Sequence, residues 1–289
     1  MNADGAIAIV VVTHYSAATL DECLAAVLTA DTVAELLVVD NATADGSVDE
    51  VLRRFEHDPR VRIVRNTTNR GFASGCNQGA AATRPPWLVF LNPDCIVERD
   101  TFARMQSLAR ARPGVGLVGA DVRGEDGVPE RAARRREPTW RRSLKRVFGD
   151  RNAFALARTD RDAEATAVDA TSGALMLIER AVFERLGGFD EAYRLHCEDL
   201  DLCRRVRDAG LAVVVAERAR ATHRQGSSSR RRPLFVGFHK HRGMHRYFRK
   251  HERAGVPPPL AWLIEAGIWA RFALLAPWLA LRELAARLR

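Results

Sequence analysis

Three carboxylates crowd into four positions in His196-Cys197-Glu198-Asp199-Leu200-Asp201-Leu202, at what the flanking pattern marks as a helix start. Acidic residues there cap a helix and offset its dipole, at about 0.3–1 kcal/mol per charge. The same crowding also suits a general base, because mutual repulsion and burial raise a carboxylate's proton affinity. Asp94 follows a proline at the end of an apolar run, Trp87 to Leu91, a place for a turn aspartate or for an oxygen ligand to a hard divalent cation. His223, just ahead of Arg224-Gln225-Gly226-Ser227, is either a solvated histidine or a second ligand near phosphate. Asp40 and Asn41 end a second apolar run, where open α/β sheets place polar groups against a base or ribose, and Thr13 ends the first. The turn Asn69-Arg70-Gly71-Phe72-Ala73-Ser74-Gly75 is neither GxGxxG nor a P-loop, yet glycine lets backbone approach a ligand.

Those residues need elements to hold them. The branched run Ile7 to Val12 reads as a strand buried on both faces, as in a parallel sheet. It is too short, and lacks the basic flank, for a signal peptide. A helix over about 19–30, a strand over 35–39, a helix over about 47–56 and a strand over 61–65 follow. The Gly-rich turn opens a short helix to Ala82, and Pro93 takes the chain out of the sheet after Trp87 to Leu91. Strand alternating with helix predicts a mostly parallel α/β sheet flanked by helices, with Thr13, Asp40 and Asp94 toward one edge.

From Arg123 to Asp162 the periodicity fails and arginines accumulate, Arg134, Arg135 and Arg136 among them, which reads as a mobile surface excursion. Order resumes at Thr171-Ser172-Gly173 and the apolar run Ala174 to Ile178. A helix over 180–186, the acidic cluster, a helix over 202–209 and a strand over 212–216 come next. A basic stretch from His223 to Arg253 leads to an apolar tail from Pro257. The expected division is a catalytic domain over 1–227 and a basic, amphipathic helical extension over 228–289.

Composition sets outer limits. The chain has 289 residues, 47% hydrophobic and 28% charged, which excludes disordered, collagen-like and disulfide-scaffold classes. Five cysteines without a CxxC pair point to a reducing compartment rather than a disulfide framework or zinc ribbon. With 45 Lys+Arg against 36 Asp+Glu the net charge is +9, favouring an anionic partner: a membrane surface, a phosphorylated substrate or nucleic acid. No recognised nucleic-acid-binding motif accompanies the arginines, so nucleic acid is not expected.

Seven ordered blocks then carry a resemblance: Val11-Val12-Thr13, Val38-Val39-Asp40-Asn41-Ala42, Asn69-Arg70-Gly71-Phe72-Ala73, Leu91-Asn92-Pro93-Asp94, Ser172-Gly173-Ala174, Gly187-Gly188-Phe189-Asp190-Glu191 and Glu198-Asp199-Leu200-Asp201-Leu202. Over roughly residues 6 to 227 the chain resembles the family 2 glycosyltransferases of GT-A fold, inverting enzymes that use nucleotide-sugars, and especially their rhamnosyltransferase branch. The resemblance implies a nucleotide-sugar site at Thr13, Asp40, Asn41, Asn69, Gly71, Asn92, Ser172 and Gly173. It implies a Mg²⁺ or Mn²⁺ at Asp94, the last acid of the DxD motif, with His223 nearby. Asp199 matches the base, with Glu198 as the alternative. Asn92 stands at the first DxD position, leaving one carboxylate there. The implied reaction moves a sugar, with dTDP-rhamnose the implied donor, to a hydroxyl of a lipid-linked or growing glycan. The rival is a non-catalytic nucleotide-sugar or polyanion-binding module on the same fold.

The tail from Leu260 to Leu281 is long enough to span a bilayer as a helix, but Glu265, Arg271 and Pro277 interrupt it. An interfacial helix or hairpin on an anionic membrane is expected over a span or a packed helix. Residence in the cytoplasm, peripherally on the inner face of the plasma membrane, follows from that reading.

Overall fold

The computed structural model describes residues 5–147, 149–150, 152–154, 156, 163–224 and 232–287. The first half is a run of strand and helix: β1 (Ile7–Thr13), α1 (Ala17–Leu28), β2 (Val33–Asp40), α2 (Ser47–Arg53), β3 (Val61–Arg65), α3 (Phe72–Ala82) and β4 (Trp87–Leu91). Then follow β5 (Cys95–Val97), α4 (Thr101–Ala111), β6 (Val115–Arg123), α5 (Trp140–Val147), β7 (Ala165–Ala167), β8 (Leu175–Glu179), α6 (Arg180–Arg185), α7 (Glu198–Asp208) and β9 (Ala212–His223). Helices α8 (Pro233–Tyr247) and α9 (Pro258–Arg287) close the described chain, joined through a π-helical turn at Phe248–Glu252.

All seven residues of β1 are buried, as its branched run requires. Its alternating side chains feed two cores. Ile7, Ile9 and Val11 pack with Leu20, Leu24 and Val27 of α1, which recur at helical spacing. Ala8, Val10 and Val12 pack with α3, α6 and α7 on the other face. Helix α3 sits close on β1 because Gly79 has no side chain: a Cβ there would lie 2.3 Å from Val10 Cγ1.

The strands lie in the order β3-β2-β1-β4-β8-β6-β9-β5, with β7 on β9. The pairings β1–β2, β1–β4 and β2–β3 are parallel, as expected. Antiparallel β8 enters between β4 and β6, pairing Leu91 with Leu175. Its start therefore lies at the edge where β1, β2 and β4 end. Strand β9 runs past Ala216, where the expected strand stops. A register shift there bends it, and its tip pairs Cys95 with His223.

The segment after Arg123 is not the free excursion that its arginines predict. Arg134 is 5% exposed and donates to Asp121 Oδ1 at 2.6 Å and to Glu217 Oε2 at 2.6 Å. Arg135 exchanges two backbone hydrogen bonds of 3.0 Å with Ala170. Buried carboxylates at Asp121 and Glu217 require a buried cation, so this basic run is drawn inward. Residues 157–162 of the excursion lie outside the described part.

The basic stretch from His223 to Arg253 is likewise only partly solvated. Helix α8 packs on the start of α7, with Gly243 close to His196 O, while Tyr247 donates to Glu137 at 2.7 Å. Helix α9 is one continuous helix through Pro277 rather than a hairpin, and its inner face lies along α8. The expected boundary at 227/228 falls outside the described residues.

Candidate functional site

Parallel register brings the first pole of the site together. Thr13 pairs with Asp40 across β1 and β2, and Asn41 N–H donates to Thr13 O at 2.8 Å. Thr13 is fully buried, and its hydroxyl has no partner among the described residues. Asp40 accepts from Thr43 Oγ1 at 2.7 Å. Asn41 donates to Gly71 O at 3.0 Å and accepts from Asn66 Nδ2 at 3.0 Å, so it ties β2 to the Gly-rich turn. Asn69 Oδ1 accepts the Gly71 N–H at 2.9 Å. Gly71 itself has φ +89°, and a Cβ would meet Arg194 O at 2.8 Å, so only glycine fits this start of α3.

The second pole forms where β4 ends. Asn92 N–H donates to Ala174 O at 2.9 Å, which sets the Asn92-Pro93-Asp94 turn against Ser172–Ala174. Ser172 Oγ accepts from Ala174 N–H at 3.3 Å. Asp94 Oδ1 lies 3.0 Å from His223 Nε2, and His223 Nδ1 lies 2.9 Å from Glu130 Oε1. Burial alone pushes this imidazole down, but its two carboxylate hydrogen bonds and their charge outweigh that and hold it up at about 9.

Ligand atoms of Asp94, Cys95 and His223 all lie within 4.8 Å of one another. Burial, and then the Asp94 charge, push the Cys95 thiol well up, so it remains a thiol and is a poor ligand for a hard cation. The remaining oxygen and nitrogen pair could hold Mg²⁺ or Mn²⁺, and a cation there would take the place of the imidazolium proton. Glu130 on the far nitrogen is the outer carboxylate that such a histidine needs.

The third pole is the start of α7. His196 and Cys197 both adopt left-handed backbone, φ 66° and 72°, a cost of about 1–3 kcal/mol each for non-glycine residues. Asp199 Oδ2 accepts from Gly173 N–H at 3.2 Å and from Arg135 Nη2 at 2.5 Å, while Oδ1 accepts from Leu200 N–H at 2.8 Å. Glu198 is 8% exposed and its Oε2 has no partner among the described residues. Burial, reinforced by the Asp199 charge, pushes its carboxyl well above the ordinary range. Asp201 leaves the group: two residues beyond Asp199 is about 200° around a helix. It pairs with Arg205 and His251 at 2.7 and 2.8 Å and so clamps α7 to the π-helical turn.

Gly173 links the second and third poles: its N–H holds Asp199 and its neighbour Ala174 holds Asn92. Sequence reasoning missed Glu130 and Arg135, which lie in the segment taken for a free excursion. The available signal was Glu130 itself, an acid opening an otherwise basic run. All five cysteines are free and buried.

Residues 8–187 match the Glycosyl transferase family 2 domain. The chain belongs to glycosyltransferase family 2. This glycosyltransferase is 26% identical to the N-acetylglucosaminyl-diphospho-decaprenol L-rhamnosyltransferase of Mycobacterium tuberculosis over 280 residues, covering 91% of this chain and 90% of that one. Its fold is similar to that of the mannosyltransferase PcManGT from Pyrobaculum calidifontis, solved with GDP-Man and Mn²⁺, at TM-score 0.60, 22% identity and coverage of 97% and 73%. It is also similar to GalNAc-T7, solved with UDP, GalNAc and Mn²⁺, at TM-score 0.62 and 18% identity, spanning 84% of this chain and 47% of that one. The glycosyltransferase thus has the GT-A fold, and α8 and α9 form its C-terminal helical part.

Glu198 has a consequence for stability. Its folded-state pKa is raised above the unfolded value of about 4.3, so the native state holds a proton that the unfolded chain releases. Its contribution is fully present below that value and is lost as pH rises through the folded pKa. Thermal melts from pH 4 to 9 should show the wild type losing stability relative to Glu198→Gln as pH rises; parallel profiles would contradict the assignment.

Proposed function

We propose that this enzyme is an inverting, cation-assisted transferase that moves a sugar from a nucleoside diphosphate to a hydroxyl of a lipid-linked or growing glycan. The observation that carries the reading is the convergence of Asp94–His223 and Asp199 on the Asn92 and Gly173 backbone at one sheet edge. The mycobacterial relative, named as a rhamnosyltransferase acting on N-acetylglucosaminyl-diphospho-decaprenol, supports dTDP-rhamnose as donor and a lipid-linked acceptor. In this reading residues 1–227 are the catalytic domain and 228–289 the membrane-facing extension.

The donor's nucleotide lies along Thr13, Asp40 and the Asn69–Gly71 turn, with the Thr13 hydroxyl and Asp40 as polar contacts and Asn41 as the brace behind them. Asn92, Ser172 and Gly173 line the sugar side. Asp94 and His223 would hold Mg²⁺ or Mn²⁺, which would supply Lewis-acid charge to the departing diphosphate. Asp199 accepts the proton of the attacking hydroxyl as the new glycosidic C–O bond forms and the bond to diphosphate breaks. Glu198, holding its own proton, is the lesser candidate. One in-line displacement without a sugar–enzyme intermediate gives inversion at the anomeric carbon.

The extension supports placement on the cytoplasmic face of an anionic membrane. Glu265 pairs inward with His245 and Arg253, and Glu283 accepts from Leu234 N–H, so both acids of α9 face α8. The outward face carries Trp262, Leu263, Leu274, Trp278, Leu281 and Leu284, each more than half exposed, beside Arg271 and Arg282. That face is apolar and cationic, the pattern of a helix lying in a lipid interface. A span would have to abandon the contacts with α8.

Three experiments test these readings. Thermal stabilisation by dTDP-rhamnose, UDP-sugars and the free diphosphates should require Mn²⁺ or Mg²⁺ and vanish in Asp94→Asn, while Asp94→Asn and Asp199→Asn each abolish release of nucleoside diphosphate; turnover surviving both would favour a binding module. The protein should sediment with anionic vesicles and not with neutral ones. Arg271→Gln with Arg282→Gln should weaken this roughly tenfold or more, at about 1 kcal/mol per arginine; unchanged sedimentation would remove α9 as the membrane face.

A further inference from the structure

Arg135 belongs to no block of the family resemblance, yet it reaches the proposed base. Its Nη2 donates to Asp199 Oδ2 at 2.5 Å and to Thr171 O at 3.0 Å. Its backbone is pinned by the two 3.0 Å hydrogen bonds to Ala170, and its neighbour Arg134 is anchored in the buried pair Asp121 and Glu217. The guanidinium therefore stands on a fixed support, and it is 24% exposed.

A carboxylate has about four lone-pair positions. Asp199 spends three, on Leu200 N–H, Gly173 N–H and Arg135. One remains for an incoming hydroxyl. The two backbone donors fix the carboxylate at one end each, and the arginine fixes its rotation and supplies the only full positive charge bonded to it among the described residues. Glu198 and Cys203 of α7 and His196 and Cys197 before it interact electrostatically with Asp199, and Lys240 of α8 adds an unbonded positive charge felt at His196 and Cys197.

The same short stretch of chain serves the other pole. Glu130, five residues before Arg135, holds His223 Nδ1 and so fixes the imidazole on Asp94. Residues 130–135 form a strap with one end on the cation site, the other on the base and a buried ion triad between them. The acceptor hydroxyl and the departing diphosphate must stand in line on opposite sides of one carbon, so a common support for the two poles fixes their alignment.

We propose that Arg135 is a positioning residue that aims the Asp199 carboxylate at the acceptor hydroxyl, on a strap shared with the Glu130–His223 support of the cation site. This rests on the assignment of Asp199 as base. Donor binding uses the other poles, so loss of Arg135 acts on the transfer step.

The test is steady-state kinetics on the full-length enzyme with donor, Mn²⁺ and a hydroxyl acceptor, for Arg135→Ala, Arg135→Lys and Asp199→Asn. Misplacing the base should lower kcat about a hundredfold in Arg135→Ala with donor KM nearly unchanged. Lysine, one charge without the planar fork, should restore part of it, and added ethylguanidinium should partly rescue Arg135→Ala and not Asp199→Asn. A folded Arg135→Ala with wild-type kcat, or one losing kcat without rescue by lysine or guanidinium, overturns the proposal. An active Asp199→Asn would instead overturn the assignment of the base. Should Arg135→Ala fail to fold, Arg135→Lys decides: wild-type kcat and no response to guanidinium would count against aiming by the fork.

Discussion

Arg134 lies buried between Asp121 of β6 and Glu217 of β9 and pairs with both, while Asp121 also accepts from Arg123. Breaking a buried pair of this kind costs about 3–5 kcal/mol, far more than the pair contributes over an apolar equivalent. The triad is therefore weak evidence for stability and strong evidence for placement. It fastens the chain after β6 back across the sheet, at the point where β9 shifts register and bends. Glu130 on one side of the anchor and Arg135 on the other then have fixed starting points. His223 reaches Asp94 because β9 bends there, and Asp199 is gripped because the chain returns there.

The edge chosen by this anchor is the one where β1, β2 and β4 end and antiparallel β8 begins. Backbone groups freed at strand ends are used locally: Asn92 N–H goes to Ala174 O and Gly173 N–H goes to Asp199. Left-handed backbone at His196 and Cys197 concentrates strain at the same place. The extension completes the picture by its charge distribution. Helix α9 spends its acids on α8 and leaves Arg271, Arg282, Trp262 and Trp278 outside, while α8 packs on the start of α7. A surface bound to α9 is thus joined to Asp199 through two packed helices.

Much of this arrangement is legible in the sequence because it rests on local periodicity. The branched runs at 7–12, 35–39, 61–65 and 87–91 are strands, and the apolar spacing of Leu20, Leu24 and Val27 marks α1. Parallel order then dictates that Thr13, Asp40 and Asp94 share an edge. What periodicity does not carry is pairing across the chain. His223 and Asp94 are 129 positions apart, and their meeting depends on a bend in β9 that extends the strand beyond its apolar part. The arginine run misleads because charge density reads as solvation, whereas buried acids on β6 and β9 draw Arg134 inward. Asp201, grouped with Glu198 and Asp199 by sequence proximity, separates from them by helix geometry alone.

The central claim is that Asp94 and His223 hold the cation and the donor diphosphate at the same edge as Asp199. Crystals grown with Mn²⁺ and dTDP, measured at a wavelength where manganese scatters anomalously, test it directly. The account predicts an anomalous peak bonded to Asp94 and His223, with the diphosphate beside it and the nucleoside along Thr13 and Asp40. A peak elsewhere on the chain, or dTDP bound with the Asp94–His223 contact intact and no manganese, would contradict it.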